Sequence, residues 1–176
     1  MKGISRGAIT AMLSVGLFSL FALYAVRHDY RSDATLKAQF LEHRADFEKL
    51  VAMAQEDVHL TRIAPDFTWL DDSVAWPRKN VGISEQRWNE YRMLFRKVNA
   101  VDGLEKDPDA LTVLFPIISE GLVPAGSTKG LVYSAAPLNP VLKSLNERPP
   151  EELYERSHVL AYTPIEDHWY IYYEEW

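Results

Sequence analysis

The sequence predicts an α+β protein: an N-terminal transmembrane helix, then a small domain with two main helices packed on an antiparallel sheet of about four strands. Three observations carry this prediction. Residues 7–25 are nineteen consecutive uncharged residues, enough to cross the hydrocarbon core of a bilayer as one helix. Two later stretches repeat apolar residues every three or four positions, and the C-terminal stretch alternates them. We therefore expect an anchor, or signal peptide, at 1–26 and a single α+β domain at 27–176.

The anchor prediction also fixes a location. A short head containing Lys2 and Arg6 precedes the apolar run, which is the layout of a secretory signal that leaves its head in the cytoplasm. A small-x-small processing site is poorly formed, because Leu23 lies two positions before Ala25. The chain contains no cysteine, so no lipid-modified cysteine can replace the helix. The sequence favours a single-pass protein of the inner (cytoplasmic) membrane with its C-terminal domain extracytoplasmic; cleavage is the alternative.

Two amphipathic helices are expected after the anchor. The first runs from Asp33 to about Val58, with its apolar residues on one face. The second follows Ser84, whose hydroxyl is suited to cap the first-turn amides, and Gly103 is a suitable stop. Between these helices the sequence predicts a short extended piece at 59–67 and a surface loop at 70–82.

The remaining strands are expected in the second half. The runs 111–115 and 130–134 indicate two strands, and residues 137–145 suit one or two short helical turns. The clearest signal is a β-hairpin of 157–162 and 169–173 joined by a polar loop. Because the predicted helices come first in the chain and the predicted strands follow, we expect the helices to pack on one face of an antiparallel sheet.

The charge balance limits the partners. Residues 1–26 hold two of the 19 basic residues and none of the 25 acidic ones, so the rest of the chain carries a formal charge of −8. Nucleic acid is disfavoured because phosphate binding requires a basic face. Anionic lipid headgroups are also repelled, so membrane contact is assigned to residues 7–26.

The common catalytic and cofactor motifs are missing or incomplete. The string 121–130 has two glycines at the spacing of a phosphate loop, but Lys129 comes too late, so a turn between strands is the better interpretation. The five histidines form no metal-binding pair, and no Gly-x-Ser-x-Gly elbow or catalytic cysteine occurs. We therefore predict no catalytic residue, no metal and no cofactor. Most tryptophans are expected in the core, with Trp76 and Trp176 the more exposed.

Four stretches together resemble a group of small bacterial extracytoplasmic proteins, many of them lipoproteins. They are 60–69, 82–88 with Tyr91 and Phe95, 121–134, and 168–173. The resemblance covers about residues 40–176 and implies a bacterial envelope protein. It carries over no site residue, and this chain departs from the lipoprotein pattern by lacking the cysteine.

The function predicted first is a membrane-tethered, non-enzymatic binding domain with an envelope protein as possible partner. Its binding residues are expected beside Gly/Pro turns, where charged and hydroxyl side chains often serve function: Arg62, Asp66, Trp69, Ser127 and Lys129. One alternative is an envelope hydrolase with His59 or His168 as base, which requires both histidines in one cleft. Another is a small acidic immunity or inhibitor protein that neutralises a basic toxin.

Overall fold

A single antiparallel sheet of eight strands forms the domain, in place of the four strands expected. The computed structural model describes residues 32–70, 73–76, 81–107, 111–122 and 125–176. Its strands are β1 (Leu60–Ile63), β2 (Thr68–Leu70), β3 (Ser73–Ala75), β4 (Leu104–Asp107), β5 (Thr112–Leu122), β6 (Ala125–Ser134), β7 (Val159–Glu166) and β8 (Trp169–Glu175). They lie in the order β3-β2-β1-β4-β5-β6-β8-β7. The structure is compatible with the α+β class, but the predicted architecture of two helices on four strands is wrong.

The described residues also form three α-helices: α1 (Asp33–Glu42), α2 (Arg44–Glu56) and α3 (Glu85–Lys97). A single 3-10 turn covers Glu151–Leu153. The helix expected over 33–58 is broken at His43, whose backbone leaves the helical region. The apolar repeat skips positions 43 and 44, and the break occurs there. Phe40 and Phe47, on either side of it, both pack on Trp169, with ring centroids 4.7 and 6.0 Å away.

The extra strands come from short segments with weak sequence signals. The loop expected at 70–82 contributes β3, which pairs with β2 through Thr68–Ala75 and Leu70–Ser73. The extended piece 59–67 contains β1, and β4 follows the turn at Gly103. The helical turns expected over 137–145 are absent; instead Val141 forms a bridge with Tyr162 on the edge strand β7.

The strongest hairpin signal is confirmed with a tighter turn. Glu166 pairs with Trp169, so β7 and β8 are joined by two residues in place of a six-residue loop. The predicted cap of α3 is also confirmed, since Ser84 Oγ accepts a hydrogen bond from the Arg87 amide at 3.1 Å. Strands β5 and β6 extend the predicted segments into a long hairpin that projects towards residues 122–125.

The main core lies between the helices and one face of the sheet. Leu36, Phe40 and Phe47 pack there against Phe115, Leu131, Trp169 and Ile171, all fully or almost fully buried. The opposite face, which we call the second face, carries a smaller cluster around Val132, Tyr162 and Tyr172. Gly130 is required between these layers, because a Cβ there would lie 2.1 Å from the Phe115 carbonyl oxygen.

The predicted anchor cannot be followed in this structure, because residues 7–26 lie outside the described ranges. Within those ranges, no helix is long and apolar enough to cross a membrane.

Candidate functional site

A groove opens on the helix-bearing face of the sheet, next to the start of α1. Two rows of paired strand residues form its floor: Ile118, Lys129 and Tyr173, then Glu120, Ser127 and Glu175. The segment 145–148 forms its wall, and the enclosed volume is about 200 Å³. Within the described residues, none of the three helices contributes to the lining of this groove.

Lys129 joins the floor, the wall and the first turn of α1. Only 6% of this residue is exposed. Its ammonium group donates to the Leu145 carbonyl at 2.7 Å and lies 2.7 Å from Asp33 Oδ1. The Asp33 carboxylate also accepts from Ser144 Oγ at 2.7 Å and from the Leu145 amide at 2.8 Å. Burial raises the pKa of Asp33, but the bonds from Lys129, Ser144 and Leu145 outweigh it, and the pKa lies below its usual value.

Glu175 organises the outer end of the groove. Arg148 holds its carboxylate with both Nε and Nη2. The hydroxyls of Tyr154 and Tyr173 donate to Glu175 Oε2 at 2.8 and 2.7 Å. Burial and the bond to Glu175 raise the pKa of Tyr173 to about 12. Burial acts to raise the pKa of Glu175, but the bonds from Arg148, Tyr173 and Tyr154 hold it below its usual value. At neutral pH Glu175 is therefore ionised and Tyr173 keeps its proton.

An outer cleft continues the groove towards the end of β8. It is lined by Ala125, Arg148, Glu151, Tyr154, Ser157, Glu175 and Trp176. Trp176 exchanges two backbone hydrogen bonds of 3.0 Å with Gly126, which fix the backbone of residue 176 beside the groove. The side chain at 126 must be absent, since a Cβ there would lie 3.3 Å from the indole ring and 2.9 Å from the Glu120 carbonyl.

Two of the five residues singled out from the sequence line this groove. Ser127 stands on its floor, and Lys129 lies beneath, engaged by Asp33 and Leu145. The glycine-rich string that contains them forms the β5–β6 hairpin, and Gly121 adopts a positive φ of 104° there.

The other three lie elsewhere, around β1 and β2. Arg62 forms a salt bridge of 2.6 Å with Glu105 on the second face. Its guanidinium lies over the rings of Phe67 and Trp69, 5.5 and 5.9 Å from their centroids. Asp66 is exposed in the β1–β2 turn. Strands β4 and β5 separate these residues from β6, so the structure does not bring the five together.

No family model, curated protein or solved structure matches this chain. Inference about the groove therefore depends on its own geometry.

The histidines of the hydrolase alternative do not share a cleft. His59 is exposed between α2 and β1, whereas His168 is exposed in the β7–β8 turn, with Nδ1 3.1 Å from the Ser134 carbonyl oxygen. Three strands, β4, β5 and β6, separate β1 from β8 in the sheet. Neither histidine lines the groove.

A second polar network joins α3 to the end of α2. Arg87 contacts Asp57 and Glu56 at 2.9 and 2.7 Å, and Tyr91 donates to Asp57 at 2.8 Å. Burial, with a smaller effect from the bond to Asp57, raises the pKa of Tyr91 well above its usual value. Because Tyr91 is fully buried, this network serves to join α3 to the end of α2.

Sequence reasoning missed most of the groove. Tyr173 and Glu175 were recoverable in principle, since the alternation of β8 places them on the same face as Trp169 and Ile171. Arg148 and Asn146 lie in an irregular segment and carried no signal. Among the described residues, no group of three or more metal-ligating side chains is present.

Proposed function

We propose that this chain is a membrane-tethered extracytoplasmic binding domain of the bacterial envelope, and that the groove beside α1 holds its ligand. The observation that carries the proposal is the groove itself: a concave site whose floor, wall and rim are held by hydrogen bonds and ion pairs before any ligand arrives. Preorganised polar groups in a concavity are the usual form of a binding site, because few side chains then lose conformational entropy when the ligand binds.

The position of the groove supports the tether. Asp33, the first residue of α1, contacts Lys129 in the groove floor, and its amide donates to Asn146 Oδ1 in the wall at 2.7 Å. Only six residues separate the apolar segment ending at 26 from Asp33, and they span roughly 20 Å at full extension. If residues 7–26 lie in the bilayer, the groove is held close to its surface.

Binding is preferred to catalysis because the reactive groups of the groove are engaged with one another. Glu175 is held by Arg148 and two tyrosines, and Lys129 is held by Asp33 and Leu145. Among the residues that the structure describes, no histidine lines the groove to act as a base for Ser127.

Site-specific photo-cross-linking in living bacteria tests this proposal. The full chain would carry a benzoyl-phenylalanine either at Asn146, in the groove wall, or at Glu48, on the exposed side of α2. We expect the chain to sediment with membranes, to be digested by protease added to spheroplasts, and to form a discrete adduct from position 146 only. A Ser127→Trp substitution, which fills the groove, should abolish that adduct while circular dichroism shows a folded domain.

Two results would overturn the proposal. Recovery of the full-length chain in the soluble fraction would remove the tether. Equal adducts from positions 146 and 48, or an adduct that persists in the filled groove, would remove the groove as the binding site.

A further inference from the structure

We infer that the groove binds a basic segment of a protein partner, with one lysine or arginine side chain of that segment entering its inner end. This inference rests on the proposed function, because it names the ligand class of the same groove. Size, charge and aromatic lining support it separately.

The inner end of the groove has the size of a single side chain. Its inner volume of about 200 Å³ is below the roughly 300–1,000 Å³ of pockets that enclose small molecules. The outer cleft adds about 580 Å³ of more open space, bounded by Ala125, Tyr154 and Trp176. A single side chain fits the inner end, and the neighbouring residues of its own segment fit the cleft.

The charge of the lining selects a cation. Four carboxylates line the groove and its cleft, those of Glu120, Glu147, Glu151 and Glu175, against the two cations Lys129 and Arg148. Both cations already have carboxylate partners, Asp33 and Glu175. The surplus negative charge attracts a basic side chain and repels phosphates and carboxylates.

The aromatic groups suit the same ligand. Arg148 already places its guanidinium 5.0 Å from the centre of the Tyr154 ring, so one guanidinium–aromatic contact is built into the wall. Trp176 is 44% exposed, its indole lies beside Gly126, and indole is the strongest cation–π partner. An arginine lying in the cleft can therefore stack on this exposed ring.

Fluorescence anisotropy on the full chain in detergent micelles tests the ligand class. The probe is a fluorescein-labelled peptide of alternating arginine and serine, compared with its citrulline counterpart, which has the same shape without charge. We expect the arginine peptide to bind at least tenfold more tightly. Trp176→Leu should weaken its binding about three- to tenfold, the range of a partly desolvated cation–π contact.

A pair of charge-matched variants separates the groove from general attraction. The triple variant Glu120→Gln, Glu147→Gln, Glu151→Gln should lose at least tenfold in affinity. The control Glu42→Gln, Glu48→Gln, Glu85→Gln removes the same charge from exposed helix positions and should stay within twofold of the unmodified chain. Thermal melts establish that both triple variants are folded.

Four results would overturn the inference. Equal losses in the two triple variants would mean non-specific attraction, and equal binding of the citrulline peptide would mean that charge is not recognised. Spermidine that competes at the same concentration as the arginine peptide would identify a free polyamine as the occupant. If the peptide fails to bind while the cross-link from position 146 persists, this ligand class is wrong and the proposed function stands. If the peptide binding and the cross-link are both absent, the inference and the proposed function are both wrong.

Discussion

At the scale of single residues, the role that the sequence predicts for Lys129 differs from the contacts that its side chain makes in the structure. In the sequence it lies beside Gly/Pro turns, which made it a candidate ligand-binding residue. In the structure the alternation of β6 directs it to the helix-bearing face, where Asp33 and Leu145 engage its ammonium group. A buried lysine is costly unless it is paired and hydrogen-bonded, and this one is both.

Replacing Lys129 by methionine should therefore destabilise the domain. Methionine keeps the volume but removes the charge that faces Asp33, and we expect a loss of about 2–3 kcal/mol, since Asp33 is only partly buried. Urea unfolding followed by circular dichroism measures it. The double variant Asp33→Asn, Lys129→Met should cost less than the sum of the single variants, because the two residues share one interaction.

The exposed pair Lys49–Glu90, with 2.6 Å between its charged atoms, is the matched control. Lys49→Met should cost less than about 1 kcal/mol, as expected of a surface salt bridge. Similar costs at Lys49 and Lys129 would contradict the structural role assigned to Lys129.

At the scale of elements, the sequence predicted the helices and strands with a repeating apolar pattern and missed the short strands. The period of Trp88, Tyr91 and Phe95 located α3, and Ser84 marked its start. Strands β2 and β3 have three residues each, too few for alternation to be distinguished from a turn-rich loop. Strand β2 pairs with β1 and β3 pairs with β2, while β1 joins the rest of the sheet through β4, a long-range pairing that no local pattern records.

The cap of α3 is a test at this scale. Ser84→Ala removes the side-chain acceptor for the Arg87 amide and should cost about 1 kcal/mol. Ser84→Asp keeps an acceptor and adds a negative charge at the positive end of the helix, so its stability should match the unmodified chain. Thermal denaturation measures the stability of the three proteins. A Ser84→Ala variant that melts at the same temperature as the unmodified chain would contradict the capping role of Ser84.

The groove wall gives a second test. Arg148 connects residues 145–157 to β8 through Glu175, and few strand bonds hold that segment otherwise. Arg148→Gln should increase hydrogen exchange over 147–157 while β5 and β6 keep their protection, because the sheet does not depend on this contact. Uniform exchange throughout the chain would instead indicate that Arg148 stabilises the whole fold.

At the scale of the whole molecule, the groove could not be located from the sequence because it is assembled across long distances. Asp33 meets Lys129 and Ser144, and Arg148 meets Glu175, contacts between segments that are remote in the chain. The β5–β6 hairpin, the C-terminal strand and the start of α1 must all be placed before the groove exists. The overall charge of the chain predicts that a site is more often acidic than basic. It does not predict the position of this groove, because composition does not say where carboxylates lie close together.

The dependence of stability on pH tests this assembly as a unit. Both Asp33 and Glu175 have a pKa lowered by folding, so below their unfolded values of about 4 the unfolded chain takes up protons first. Their contribution to stability is complete above about pH 5 and is lost as the pH falls through the folded pKa values. Melting temperatures measured from pH 7 to pH 3 should fall steeply in that range. The double variant Asp33→Asn, Glu175→Gln should melt lower at pH 7 and lose less on acidification, whereas Glu48→Gln should keep the unmodified slope. If the melting temperatures of all three proteins fall in parallel with pH, acid unfolding begins elsewhere. The contacts of Asp33 and Glu175 then do not hold the start of α1 and strand β8 to the rest of the fold.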